Sequence, residues 1–176
     1  MTIAPLPIQD LVIAGQIVRL HTTAYQQEAD LLGLPSLPGM ERSAADIAEL
    51  QEEFFGIHAA GTLIGAVSTA EEIPGRLCIC SLTVLPEWQH QGLGRSLLRF
   101  VLAANPELEL QVSTAAGNSR AIALYESEGF NVYRESVAPG LALKLVHLIR
   151  KRANPSVEPT NCGKPQSAAH LERWAP

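Results

Sequence analysis

Leu82-Thr83-Val84-Leu85-Pro86-Glu87-Trp88-Gln89-His90-Gln91-Gly92-Leu93-Gly94-Arg95-Ser96-Leu97-Leu98 is the stretch that decides how this chain folds. The apolar residues up to Leu85 suit a buried strand, the segment from Pro86 to Gly92 suits a turn, and Leu93, Leu97 and Leu98 have helical spacing. A helix that opens here leaves its first backbone N–H groups without intrahelical acceptors, all at the positive end of the helix dipole. Glycine at 92 and 94 removes side chains that would hold a ligand off that backbone. The corner is a candidate cradle for a diphosphate, built from main chain rather than from lysines.

A G-x-G after a strand also serves merely to turn the chain, so the residues around it must discriminate. A Walker loop requires G-x-x-x-x-G-K-[ST], and the chain has no such string. A dinucleotide fingerprint requires a third glycine where this chain has Leu97. What remains is Gln89-x-x-Gly92-x-Gly94, which resembles the acyl-CoA pyrophosphate loop of the GCN5-related N-acetyltransferases. Other stretches resemble the same superfamily, in the same order. Leu77 to Pro86 is similar to its fourth strand, and Glu107-Leu108-Glu109-Leu110-Gln111-Val112-Ser113 alternates as a fifth strand should. Asn118-Ser119-Arg120-Ala121-Ile122-Ala123-Leu124-Tyr125-Glu126-Ser127-Glu128-Gly129-Phe130 is similar to its N-x-x-A-x-x-x-Y-x-x-x-G-F segment. The resemblance covers residues 50–148 well and the ends poorly.

The resemblance implies an α/β fold: a mixed, mostly antiparallel sheet of six to seven strands flanked by helices, with parallel strands 4 and 5 splayed apart. It implies acetyl-CoA as co-substrate and a primary amine as acceptor, with direct transfer in a ternary complex. Exposed backbone at Leu82, Thr83 and Val84 would pair with the pantetheine arm as an added strand does. Gln89, His90, Gln91, Gly92, Leu93, Gly94, Arg95 and Ser96 would hold the diphosphate, and Asn118 would act both as helix N-cap and near the pantetheine. Tyr125 would donate the proton to the departing thiolate, a phenol of ordinary pKa about 10 being able to do so within hydrogen-bond reach. Packing of the same helix is its alternative role. In arylalkylamine acetyltransferases two histidines on the fourth strand relay the amine proton, and the matching positions here are Cys78 and Cys80. Buried thiols are poor bases, so Glu71, Glu72, Cys78, Cys80 and water all stand as alternatives. His58 is a weaker one. Acceptor recognition is expected from Tyr25 to Arg42, where Glu28, Asp30 and Glu41 suit a cationic amine or simply face water. A non-catalytic acyl-CoA-binding or regulatory module is the rival, supported by the absent histidines and opposed by the retained Tyr125.

Composition sets the context. The 176 residues are 47% hydrophobic and carry a net charge of −5, which suits a globular domain and argues against nucleic-acid or anionic-membrane partners. An odd set of three cysteines does not make a disulfide framework, and the five histidines lack ligand-like spacing, so no metal is expected. With no leader pattern and no run of ~18 apolar residues, a cytoplasmic protein is expected, with a second copy of the chain as a candidate partner.

Residues 1–7 read as proline-broken, and Ile8 to Leu32, with Leu11, Val12, Ile17, Leu20 and Leu31, as one long helix or two short ones. Gly33, Pro35 and Pro38 end it, and Ser43 caps a helix to Leu50. Phe54–Ala59 and Thr62–Ala70 form a hairpin, Pro74-Gly75 turns into a strand over 77–85, and helix 92–104, strand 107–113 and helix 118–128 follow. Strands over 130–137 and 141–148 flank Pro139-Gly140. Residues 1–150 make one domain, and 151–176 a flexible, proline-containing tail.

Overall fold

The computed structural model describes residues 1–138, 141 and 143–152, so the turn expected at Pro139-Gly140 and the tail expected from Ala153 lie outside the described residues. Asp10 starts helix α1, Leu11–Leu32, by accepting from the Val12 N–H at 2.8 Å, and Gly33 ends it at φ 67° in the left-handed region. The segment is therefore one long helix. Its buried side is Ala14, Ile17, Leu20, His21 and Ala29, while the apolar Leu11, Val12 and Leu31 sit at the ends of the helix and are exposed. Helix α2, Ala44–Ala48, is shorter than its pattern suggests but starts as expected, with Ser43 and Asp46 exchanging capping-box hydrogen bonds. Those bonds from Ser43 hold the Asp46 carboxyl below its ordinary pKa.

Residues 1–7 correct the proline-broken expectation, because Ile3–Leu6 form strand β1, paired antiparallel with β2, Glu53–Ala59, from Ile3 opposite Ile57 to Leu6 opposite Phe54. Pro5 is tolerated because β1 is an edge strand, where a missing N–H breaks no central ladder. Ala60 and Gly61, both at positive φ, turn β2 into β3, Thr62–Ile73. Gly75, at φ 85°, turns β3 into β4, Arg76–Val84. Helix α3, Leu93–Ala104, leads to β5, Glu109–Ala115, two residues later than the alternation suggests because Leu108 N–H turns back to the Asn105 carbonyl. Helix α4, Ser119–Ser127, and strands β6, Asn131–Val137, and β7, Lys144–Arg150, complete the described chain.

The strands lie in the order β1-β2-β3-β4-β5-β7-β6. Parallel β4 and β5 interrupt an otherwise antiparallel sheet, the mixed α/β architecture expected. Two compact units divide the chain: Met1–Ala70 with Ile79–Ala104, and Glu71–Cys78 with the chain from Asn105 onward. Strand β4 contributes to both. In the first unit, Ala14, Ile17 and Leu20 of α1 pack with Ile47 of α2 and with Phe54, Leu63 and Ala66 of the sheet. Each fully buried Ile or Leu there contributes about 1.5–3 kcal/mol. Phe55, the neighbour of Phe54 in β2, points to the other face and meets Phe100 of α3 at 5.0 Å between ring centroids. In the second unit β5 alternates, with Leu110, Val112 and Thr114 buried beside the fully buried Leu145 and Leu148 of β7.

Candidate functional site

In the first unit the decisive stretch folds as strand, corner and helix. After β4, Leu85 N–H bonds to the Ile64 carbonyl and a single 3₁₀ turn covers Pro86–Trp88. His90 and Gly92 then take positive φ, 60° and 80°. Turns of this kind can direct successive N–H groups toward one side, as anion nests do. The first bond of α3 runs from Ser96 N–H to the Gly92 carbonyl at 2.9 Å, so the amides of Leu93 and Gly94 lie ahead of the intrahelical ladder. A Cβ added at Gly92 would meet nothing within 4 Å, so the backbone is open on that side of Gly92. His90, Gln91, Gly92, Arg95 and Ser96 are exposed.

Gln89 has a different local task. Its amide donates to the Val84 carbonyl at 3.1 Å and to Gln27 Oε1 of α1 at 2.7 Å, fastening the corner to the strand before it and to the first helix. Gln27 carries no sequence signal of this, because its partner is 62 residues away. On β4, Leu82 and Val84 are half-buried and Thr83 is buried. Thr83 Oγ1 is enclosed and makes no hydrogen bond among the described residues, which is costly unless a ligand or water satisfies it. An acyl-CoA fits these features: open main-chain donors at the corner for a diphosphate, and an unsatisfied hydroxyl on the strand for an amide-bearing arm.

The second unit holds Asn118 and Tyr125. Asn118 Oδ1 accepts from the Ala121 N–H at 3.1 Å, so the N-cap expectation holds. Tyr125 is the buried residue of α4 and meets Phe130 edge-on at 5.6 Å, whereas Ala121 and Leu124 are only half-buried because the short helix offers its core one narrow stripe. Gly129, at φ 89°, ends the helix. Each position of the N-x-x-A-x-x-x-Y-x-x-x-G-F segment thus has a structural task in addition to any chemical one.

The base candidates separate by surroundings. Glu71 Oε1 accepts from the Gly75 N–H at 2.8 Å and braces the β3–β4 turn. Cys78 is buried and Cys80 half-buried. His58 is exposed and shares a 2.9 Å hydrogen bond with Gln16, an ordinary sheet-surface role. His147, absent from the sequence candidates, is buried, with Nδ1 2.7 Å from Ser113 Oγ and Nε2 2.8 Å from Ser136 Oγ. These bonds tie β5, β7 and β6 together. Among the described residues no group of three or more His, Cys, Asp or Glu is arranged for a metal ion, and no helix is long and apolar enough to cross a membrane.

The sequence model of the acetyltransferase (GNAT) domain matches residues 50–132. That match places residues 50–132 in the GCN5-related N-acetyltransferase (GNAT) superfamily. UPF0157 protein YqkA of Bacillus subtilis (strain 168) is 34% identical over 169 residues, which cover 95% of this chain and 46% of that protein. The [ribosomal protein bS18]-alanine N-acetyltransferase of Escherichia coli (strain K12) is 36% identical over 74 residues, covering 39% of this chain and 48% of the relative. The chain spans about half the length of these curated relatives. The fold is similar to that of YncA from Salmonella typhimurium, solved with its cofactor acetyl-CoA, with a TM-score of 0.69 at 17% identity over 92% of this chain and 99% of that one.

Proposed function

We propose that this chain is an acetyl-CoA-dependent N-acetyltransferase that moves an acetyl group directly to a primary amine, of a small molecule or a peptide, within a ternary complex. The corner Gln89–Ser96 carries the reading, with two left-handed residues, an open side at Gly92 and amides ahead of the α3 ladder. In this reading residues 1–150 act as one acetyltransferase domain in the cytoplasm. The corner holds the diphosphate, Leu82, Thr83 and Val84 receive the pantetheine arm, and Asn118 assists beside its capping task.

Acetyl-CoA supplies the activated thioester. A backbone N–H of β4 would stabilise the charge that develops on the acetyl oxygen. Tyr125 gives its phenolic proton to the departing sulfur, and its burial against Phe130 holds the ring in one orientation. The amine proton leaves through water or through one of Glu71, Glu72, Cys78 and Cys80. Glu71 already commits one oxygen to the Gly75 N–H, and Cys78 is buried.

Titration calorimetry with acetyl-CoA and with acetylpantetheine, which lacks the diphosphate, tests the reading. Micromolar binding that needs the diphosphate, followed by thiol release across a panel of amines, is the expected result. Binding without release from any amine would favour the non-catalytic acyl-CoA-binding module. No binding at millimolar acetyl-CoA would remove both.

A further inference from the structure

Away from the cofactor corner, the first unit holds a buried histidine whose hydrogen-bonding groups the fold leaves unused. His21 of α1 is 2% exposed, and neither ring nitrogen has a hydrogen-bond partner among the described residues. Its ring lies 5.1 Å from that of Tyr25, one turn further along α1, and 6.3 Å from that of Phe54. Arg42, on the connection from α1 to α2, is half-buried, and its guanidinium makes no hydrogen bond or ion pair among the described residues. The neighbouring Asp46 is committed to Ser43 through two 2.7 Å bonds, from the backbone N–H and the hydroxyl. Gly39 connects the groups: a Cβ placed there would lie 3.6 Å from Tyr25 Cε2 and 3.9 Å from both Cζ and Nη1 of Arg42. The Tyr25 ring and the Arg42 guanidinium therefore flank one point, and the Arg42 charge also reaches His21.

A half-buried guanidinium without a hydrogen bond or close ion pair, near a buried imidazole with an idle donor and acceptor, is an arrangement that native structures rarely leave unsatisfied. Arginine presents a planar fork of five donors, which matches a carboxylate held bidentately. The imidazole stays neutral in this setting, because burial and then the Arg42 charge lower its pKa to about 4. A neutral imidazole adds one N–H without adding a second repelling cation.

We propose that Arg42, Tyr25 and His21 form a carboxylate subsite, with Arg42 as its charged mouth and His21 as its buried end. The acceptor is then an amine that also bears a carboxylate, of the amino-acid or short-peptide class. The identification of this ligand as the acceptor rests on the acetyltransferase reading, but the binding of a carboxylate does not. The acidic residues of the Tyr25–Arg42 segment would accordingly not select the ligand by attracting a simple cation.

The test uses the full chain without acetyl-CoA, titrated with N-acetylalanine and, in parallel, with its uncharged carboxamide, while the His21 ring is followed by ¹H–¹⁵N NMR. The acid is expected to bind in the millimolar range or tighter, shift the His21 ring signals and raise that histidine's pKa, while the amide leaves them in place. Arg42→Gln is expected to weaken the acid at least tenfold while leaving acetyl-CoA affinity and melting temperature unchanged. Equal binding of acid and amide would overturn the proposal. So would an unaltered His21 at millimolar acid, undiminished acid binding by R42Q, or inorganic phosphate competing as well as the acid. Failure of acetyl-CoA to bind in the separate calorimetry would fall on the acetyltransferase reading alone.

Discussion

Tyr125 and His21 show how differently two enclosed polar side chains behave. The Tyr125 ring is held by its edge-on contact with Phe130, so Tyr125→Phe retains the packing and removes only the hydroxyl. Turnover is expected to fall by roughly a hundredfold, the scale of a lost general acid, with acetyl-CoA affinity nearly intact. Steady-state kinetics alongside calorimetry separates this from a packing role, which Phe would preserve, leaving turnover and affinity both unchanged. His21 makes a prediction about stability. Burial, with the Arg42 charge second, lowers its pKa from 6.5 to about 4, so the unfolded chain binds the proton more readily between those values. Stability is unaffected above the unfolded pKa, declines as pH falls through 6.5, and has lost about 3 kcal/mol by pH 4. Urea titrations of the natural chain and of His21→Phe across this range are expected to diverge by that amount, and parallel curves would refute the assignment. The sequence marked Tyr125 through its motif. His21 carried no mark beyond its place on the Ile17–Leu20 side of a helix, because a histidine's surroundings are built by other segments.

At the scale of elements, the corner between β4 and α3 depends on Gly92 through φ rather than through space. Its φ of 80° strains any side chain, and nothing lies within 4 Å of an added Cβ. Gly92→Ala is thus expected to cost roughly 1–2 kcal/mol of stability with little steric effect. Gly92→Glu places a carboxylate where the diphosphate is proposed to lie, and is expected to weaken acetyl-CoA at least tenfold more than Ala does. Equal affinities for the two variants would place the diphosphate elsewhere. This corner was legible because strand, proline, glycine pair and helix are consecutive in the chain. So was α4, whose N-cap at Asn118 and terminator at Gly129 are local signals. Strand β1 was not, since Pro5 argues against a strand unless that strand lies at an edge, and only the sheet order decides that. The start of β5 was displaced by two residues because alternation marks a strand's faces better than its ends.

Over the whole molecule, ligand binding and folding are linked. A cofactor bound by the folded chain alone stabilises it by about 2.7 kcal/mol at a hundredfold excess over Kd. For a chain of this size that corresponds to a rise in Tm of roughly 5–10 °C. Acetyl-CoA is expected to give such a shift in a thermal melt and acetylpantetheine a much smaller one. Equal shifts would show that the diphosphate contributes little. The sequence by itself determined the strand–corner–helix segment, the capped helix bearing Tyr125, and the superfamily that the two together indicate, because each rests on residues within a few turns of one another. Only the tertiary structure decided that Gln89 fastens to Gln27, that His147 joins three strands through two serines, and that Tyr25 and Arg42 flank Gly39. Those contacts join residues tens of positions apart, and no local period or spacing encodes which distant side chain will arrive to complete, or leave incomplete, a buried polar group.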